Sequence, residues 1–155
     1  MTLLDIISLD SIIVGLESDS KEAIIEELVG CLQIGTALTD REKVLQAVLD
    51  REKIMSTGIG DGIAIPHGKL PNLDRLHGFF ARLNQPIDFQ AIDERPVDLI
   101  FVLLAPETAG ADHLKALARI SRLLRDQAVC EKLRGTDGAE ALYAILIESE
   151  EDRAA

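Results

Sequence analysis

The sequence predicts an α/β sandwich built as one domain within 155 residues. Three observations support this fold class. Segments with helical spacing occur before, between and after short apolar runs of strand length. Apolar residues make up 47% of the chain and aromatic residues only 3%, which is typical of a core of Leu, Ile, Val and Ala. No repeat or low-complexity linker divides the chain, so a single core is expected.

Two amphipathic helices are predicted in the first third of the chain. Apolar residues recur at intervals of three and four over residues 21–33, behind three candidate N-cap residues at 18–20. Thr39 and Glu42 have the spacing of a capping box, which predicts that a second helix begins there and runs to about Lys53.

The predicted strands are short runs of apolar residues in the middle of the chain. They are residues 63–65, 77–83 and 97–104. The last of them is apolar enough to be buried on both faces, so we expect it to be central in the sheet.

Three further helices are predicted towards the C-terminus. Asp112 is the expected N-cap of the first, and shorter helical patterns follow over residues 127–133 and 137–147. We expect residues 1–148 to form the domain and the acidic segment 149–155 to be a frayed, solvated tail.

Composition excludes several functional classes. Sixteen basic and 27 acidic residues give a formal charge of −11, which argues against a nucleic-acid or anionic-membrane surface. Asp5 and Asp10 interrupt the apolar N-terminal residues, so that segment predicts neither a signal peptide nor a membrane anchor. Cys31 and Cys130 lack a CxxC spacing and are expected to be reduced thiols in the cytoplasm, with Cys31 packed as a small hydrophobe.

The stretch around His67 is the main candidate for function. Glycines at 58, 60 and 62 miss the GxGxxG spacing, and Gly68 is not part of a P-loop, so nucleotide binding is not indicated. One interpretation is a glycine-rich turn that leads into a strand. The other is a rigidly presented histidine, because Pro66 restricts the backbone before His67 and Gly68 relaxes it afterwards.

Two other residues are candidates for binding an anion. Arg51 lies on the apolar stripe of its helix, either because its head reaches water or the helix's carbonyl end, or because it faces a phosphoryl group. His113 is expected in the first turn of a helix, where it is either a surface histidine or a neutral ring beside an anion. His77 is interpreted as structural.

Other chemistries are poorly supported by the residue spacing. The histidines and cysteines form no HxxxH or CxxC pair, so no metal site is expected. Ser56 and Ser121 lack a GxSxG motif, which makes a serine hydrolase a distant alternative.

Four motifs resemble the IIA domain of the fructose/mannitol class in the bacterial phosphoenolpyruvate-dependent phosphotransferase system. They are REK at 51–53, STG at 56–58, GIAIPHG at 62–68 and DHL at 112–114. The similarity continues through PIDFQAIDERPVDLIFVLLAPE and covers about residues 21–147. The sequence GKL at 68–70, directly after His67, is most similar to the nitrogen-regulatory branch of that family.

The resemblance implies a phosphoryl carrier in which a mixed sheet is flanked by helices and no metal or cofactor is needed. It implies that His67 accepts a phosphoryl group on Nε2 from a small histidine phosphocarrier protein, while Arg51 and His113 hold the phosphoryl oxygens. Lys69 and Arg75 are further candidates for the positive charge that such a site needs in an acidic protein.

Regulatory target proteins, not identified by the sequence, would then read the phosphorylation state. Two alternatives stay open: a free-standing IIA subunit that passes phosphate to a sugar-specific IIB partner, and a binding module whose histidine no longer reacts.

Overall fold

The computed structural model describes residues 2–32, 41–71 and 73–154. These residues form a mixed β-sheet of six strands with helices on both faces, which confirms the predicted α/β sandwich. The strands are β1 (Ile12–Ile13), β2 (Gly58–Gly60), β3 (Ile63–Ala64), β4 (His67–Leu70), β5 (His77–Ile87) and β6 (Val97–Pro106). The helices are α1 (Lys21–Cys31), α2 (Arg41–Ile54), α3 (Ala111–Leu124), α4 (Gln127–Arg134) and α5 (Ala139–Ala154).

Strand β6 is the centre of the sheet, as its apolar sequence predicts. The strand order is β1-β5-β6-β3-β2, and β4 pairs with β6 beyond the end of β3. β6 runs antiparallel to β5 and parallel to both β3 and β4. Between β3 and β4, Pro66 has no N–H to donate, but its carbonyl accepts a hydrogen bond from Leu103 N at 3.0 Å.

Alternate residues of β6 enter two separate apolar cores. Ile100, Val102 and Leu104 pack with α1 and α2 on one face of the sheet. Leu99, Phe101 and Leu103 pack with α3, α4 and α5 on the other. The two-residue period of the strand therefore decides which helices each neighbouring side chain on the sheet meets.

The first two helices form close to where their spacing predicts. Ser20 is the N-cap of α1, since its side chain accepts a hydrogen bond from Ala23 N at 3.3 Å. The predicted capping box at Thr39 lies outside the described residues. Cys31 is exposed, so the expectation that it packs as a small hydrophobe is wrong, whereas Cys130 is buried. The buried stripe of α1 instead continues through Val29, and the last helical residue faces solvent.

The start of α3 and the end of α5 differ from the prediction. Gly110, with φ of 55°, is the N-cap of α3, and Asp112 lies inside the first turn. Glycine suits this position because the conformation is unfavourable for residues with a Cβ. Helix α5 continues to Ala154, seven residues beyond the predicted end of the helical pattern at residue 147. Glu150 is buried there and accepts a hydrogen bond from Leu3 N at 2.7 Å, which ties the end of α5 to the N-terminal segment.

Candidate functional site

A cleft of about 540 Å³ lies between α2, β4 and the start of α3. Its charged and titratable lining residues are Asp50, Arg51, His67, Lys69 and His113. The structure therefore brings together the three residues that the sequence singles out for chemistry, although they lie far apart along the chain.

Strand pairing decides the direction in which His67 points. His67 is aligned with Leu103 of β6, so its side chain lies on the sheet face that is covered by α3. Gly68 lies on the opposite face, towards α2. A Cβ at Gly68 would be 3.2 Å from Ala47 Cβ and 3.3 Å from the Ala47 carbonyl carbon. The absence of a side chain at Gly68 therefore lets α2, and with it Arg51, approach the strand closely.

The ring of His67 is held by its own backbone neighbourhood. Its Nδ1 lies 2.9 Å from the carbonyl oxygen of Ile65. A carbonyl oxygen only accepts, so Nδ1 must carry the proton and donate it. Nε2 is then left with a free lone pair, which is the form of imidazole that can attack an electrophile.

His113 lies directly beside His67. The two ring centroids are 5.5 Å apart, and the rings meet edge to face at 80°. His113 is buried, and its Nδ1 has no hydrogen-bond partner within the ranges that the structure describes. A buried polar atom without a partner is uncommon in folded proteins.

Both histidines have lowered pKa values, which favours neutral rings near pH 7. Burial is the main cause of the lower pKa of His67, although its hydrogen bond to Ile65 partly opposes the effect. Burial also lowers the pKa of His113, and the nearby positive groups at His67, Lys69 and Arg51 lower it further. Burial is the larger of these causes for His113.

Arg51 binds the carbonyl end of α2 and also faces the cleft. One guanidinium N–H, on Nη1, donates to the carbonyl oxygen of Met55 at 2.9 Å, just beyond the end of α2. The same side chain lines the cleft. Because guanidinium has five N–H donors, the bond to Met55 anchors the group and leaves donors to face an anion.

Of the other residues considered from the sequence, one lies in the cleft and two lie elsewhere. Lys69 lines the cleft. Arg75 does not contribute to it and instead donates to the carbonyl of Asp5 at 3.1 Å. His77 is aligned with Leu104, on the other face of the sheet from His67, and its Nε2 lies 3.0 Å from a carboxylate oxygen of Asp74.

Sequence reasoning missed the acidic residues near the cleft. Asp50 lines it, and Glu52 is buried on the inner side of α2. Val44, Val48 and Glu52 recur at intervals of four and form one buried stripe. That spacing was the available signal for Glu52, but a glutamate at the end of a helix is ordinarily assigned to solvent.

The arrangement can present a neutral imidazole nitrogen to an electrophilic group and stabilise negative charge around it. Arg51, Lys69 and the N-terminus of α3 supply the positive side of this environment. Among residues 2–32, 41–71 and 73–154, no three His, Cys, Asp or Glu side chains cluster as metal ligands would. Within the same ranges, no helix has the length and apolar character needed to cross a membrane.

Comparison with known proteins identifies the family. Residues 5–149 match the model of the phosphoenolpyruvate-dependent sugar phosphotransferase system EIIA 2 family. The chain is 49% identical to a nitrogen regulatory protein of Bradyrhizobium diazoefficiens over 146 residues, which cover 94% of this chain and 95% of the relative. It is 36% identical to a fructose-specific EIIA component of Haloferax volcanii, with 96% of this chain and 93% of the relative covered.

A solved structure supports the same assignment. The nitrogen regulatory protein IIA-Ntr of Neisseria meningitidis superposes with a TM-score of 0.86 at 35% identity, covering 93% of this chain and 98% of that structure. Since the family model spans nearly the whole sequence, the resemblance noted from the four motifs is confirmed. The chain belongs to the EIIA 2 family of the phosphoenolpyruvate-dependent sugar phosphotransferase system.

Proposed function

We propose that this protein is a phosphoryl-accepting regulatory IIA protein of the nitrogen-related phosphotransferase branch. A small histidine phosphocarrier protein would phosphorylate it on Nε2 of His67. The observation that carries this proposal is the hydrogen bond from Nδ1 of His67 to Ile65, because it leaves Nε2 unprotonated at the cleft. The 49% identity to a nitrogen regulatory protein supports the regulatory branch.

In the proposed step, the lone pair on Nε2 of His67 forms a bond to phosphorus as the bond between phosphorus and the carrier's histidine nitrogen breaks. The phosphorylated ring then carries a positive charge, which the Nδ1–H donation to Ile65 helps to stabilise. Such a transfer depends mainly on in-line positioning and on compensation of the oxygen charges. No cofactor takes part in this step.

Arg51 and His113 are proposed to bind the phosphoryl oxygens. Guanidinium suits phosphate because its planar donors can pair with two oxygens at once. The neutral ring of His113 has one N–H to donate, and its burial excludes competing water. The positive charges of Arg51 and Lys69 offset the repulsion that a chain of net charge −11 exerts on an incoming anion.

An exposed apolar residue at the cleft supports docking of a protein donor. Leu114 lines the cleft and is 69% exposed. An apolar side chain beside a charged centre is a common arrangement in protein interfaces. We therefore expect the carrier to cover Leu114 while its phosphohistidine enters the cleft.

The direct test is phosphorylation with phosphoenolpyruvate, enzyme I and a histidine phosphocarrier. Mass spectrometry under non-acidic conditions should locate an acid-labile phosphate on His67, and His67→Ala should take up none. An acid-stable phosphate, or one on Ser56 or Thr57, would contradict the proposal.

The regulatory role is tested separately. A phosphohistidine adds negative charge to the surface, so target proteins should bind the phosphorylated chain and the His67→Ala variant differently. Pull-down experiments with the two forms measure this. Identical partners with identical affinities would leave only a relay role.

The second candidate is a free-standing IIA subunit that phosphorylates a sugar-specific IIB protein. The similarity to the fructose-specific EIIA component of Haloferax volcanii favours keeping it. Rapid transfer of phosphate from the phosphorylated chain to a fructose-type IIB protein would support this candidate. Slow or absent transfer would favour the regulatory role.

A further inference from the structure

We propose that Glu52 is a positioning residue for His67. Its buried carboxylate holds the connection between α2 and β2, and that connection holds the backbone group to which Nδ1 of His67 donates. The inference rests on the proposed function of His67 as the phosphoryl acceptor. Glu52 itself does not line the cleft, so it would act through its neighbours rather than on the phosphoryl group.

Glu52 is part of a buried ion pair. Glu52 is only 6% exposed and Lys21 only 8%. Their charged atoms, Glu52 Oε1 and Lys21 Nζ, lie 2.8 Å apart. Nζ also lies 5.1 Å from the ring centre of Phe89. Because a buried charge without its partner is strongly unfavourable, this pair keeps the carboxylate in one place.

The same carboxylate binds Thr57 through both of its oxygens. Oε1 accepts from Thr57 N at 2.9 Å, and Oε2 accepts from Thr57 Oγ1 at 2.5 Å. Thr57 is itself buried and immediately precedes β2. Two hydrogen bonds to one charged group therefore define where the chain turns from the helix into the sheet.

A continuous series of hydrogen bonds connects Thr57 to the ring of His67. The carbonyl of Thr57 accepts from Ile65 N at 3.0 Å. The carbonyl of Ile65 in turn accepts from Nδ1 of His67 at 2.9 Å. Displacing Thr57 should therefore displace the carbonyl that selects the protonated nitrogen of His67, and with it the direction of Nε2.

Glu52 also affects the cleft in two further ways. It is adjacent to Arg51, so anchoring Glu52 on the inner side of α2 sets the rotation of the last helical turn and directs Arg51 to the cleft. Its negative charge counteracts, to a small extent, the lowering of the pKa of His67.

Glu150 offers a matched control. It is 7% exposed, accepts a backbone N–H from Leu3 at 2.7 Å and lies 3.6 Å from Nη1 of Arg119. It is located on α5, which packs on the other face of the sheet from α2. Replacing either glutamate by glutamine removes the charge of a buried carboxylate that binds a backbone N–H.

The experiment compares Glu52→Gln with Glu150→Gln in the full chain. Long-range ¹H–¹⁵N NMR reports which ring nitrogen of His67 carries the proton, and single-turnover assays with a phosphorylated carrier report uptake. For Glu52→Gln we expect a mixture of tautomers and at least a tenfold loss of the uptake rate. For Glu150→Gln we expect the native Nδ1–H tautomer and a rate within twofold, even where its melting temperature falls equally.

A double variant keeps the test decisive if Glu52→Gln does not fold. Lys21→Met combined with Glu52→Met removes both charges together, which a buried ion pair often tolerates. It provides no acceptor for Thr57, so the tautomer mixture and the slow uptake should persist. A native tautomer and native uptake in this folded variant would overturn the proposal, as would equal losses in Glu52→Gln and Glu150→Gln.

The two proposals fail in different ways. If the native chain takes up no phosphoryl group, the proposed function is wrong. The NMR comparison still tests the positioning role in that case, because it does not depend on phosphoryl transfer. If the native chain is phosphorylated on His67 and Glu52→Gln matches it in both measurements, the positioning role alone is wrong.

Discussion

Arginine side chains lie near both ends of strand β6, but their partners differ. Near the start of β6, Arg134 pairs with both carboxylate oxygens of Asp98 at 2.9 Å, and Arg95 lies 3.3 Å from Asp61. Arg134, Arg95 and Asp61 line a small cavity of about 160 Å³. Towards the other end lies the cleft of about 540 Å³, where Arg51 uses a backbone carbonyl as its anchor.

Arg134 and Arg51 differ in their partners, which are a carboxylate for Arg134 and a backbone carbonyl for Arg51. Asp98 raises the pKa of Arg134 and accepts a hydrogen bond from it on each carboxylate oxygen. This pair connects α4 to the start of β6. Asp50 is the one carboxylate among the described residues that line the cleft. The nitrogen-bearing side chains there are those of Arg51, Lys69, His67 and His113. The cleft therefore retains an excess of positive groups and donors for an external anion.

Replacing each of the two arginines by glutamine should give the largest difference in transfer rate. Arg51→Gln removes a charged donor from the cleft, and the loss of one such contact is worth on the order of 3 kcal/mol, or roughly 100-fold in transfer rate. Single-turnover phosphorylation measures the rate, and thermal unfolding measures stability. Arg134→Gln, the matched change at the opposite end, should lower stability and leave the rate nearly unchanged.

The reverse pattern would refute this interpretation of the two ends. If Arg51→Gln mainly lowered the melting temperature, its bond to Met55 would be its principal role. If Arg134→Gln slowed transfer as much as Arg51→Gln, the two ends would not be functionally distinct.

The histidines provide a second, smaller contrast. His113→Ala removes the ring beside His67, and the loss of one charge-assisted hydrogen bond costs roughly 1.5–3 kcal/mol. Phosphoryl uptake or phosphohistidine lifetime should therefore fall about tenfold or more. His77→Ala should have little effect on either, because its ring pairs with Asp74 on the other sheet face.

Circular dichroism must show that both histidine variants are folded before their rates are compared. Equal defects would indicate general destabilisation. A defect confined to His77→Ala would mean that the phosphoryl-binding role was proposed for the wrong histidine.

The smallest expected effect is a pH dependence of stability that originates at the cleft. His67 and His113 have pKa values below the usual 6.5, so the unfolded chain binds protons before the folded chain does as the pH falls. Their contribution is complete above pH 6.5 and is lost as the pH falls below it, by at most about 1.4 kcal/mol per pH unit for each histidine.

Urea unfolding between pH 7.5 and 5 measures this dependence. The native chain should lose stability more steeply than the double variant His67→Ala/His113→Ala. Identical slopes in the two proteins would show that the cleft histidines are not protonated more readily on unfolding.

Local sequence patterns predicted much of the fold because they encode local geometry. The apolar run in β6 has no polar face, so it had to be central. Ser20 precedes an amphipathic stretch and caps α1 as such residues do. The cap of α3 was missed because Asp112 is a good N-cap by type, while the close turn after Ala109 requires a backbone conformation that suits Gly110.

The sequence alone also identified the main candidate residues of the cleft. Pro66 and Gly68 flank His67, and Arg51 lies on the apolar stripe of a helix, so each could be selected from its neighbours in the chain. Local sequence could not establish which of these residues meet. That depended on strand pairing and helix packing between distant segments.

Only the tertiary structure decided the contacts that select and support these residues. The parallel pairing of β4 with β6 places His67 beside His113. The antiparallel pairing of β5 with β6 places His77 on the opposite face of the sheet. Glu52 and Glu150 look like solvent-exposed acids in sequence, yet each is buried and accepts a hydrogen bond from a backbone N–H outside its own helix. The physical reason is that burial and pairing depend on neighbours brought together by folding, and a linear pattern contains only the neighbours along the chain.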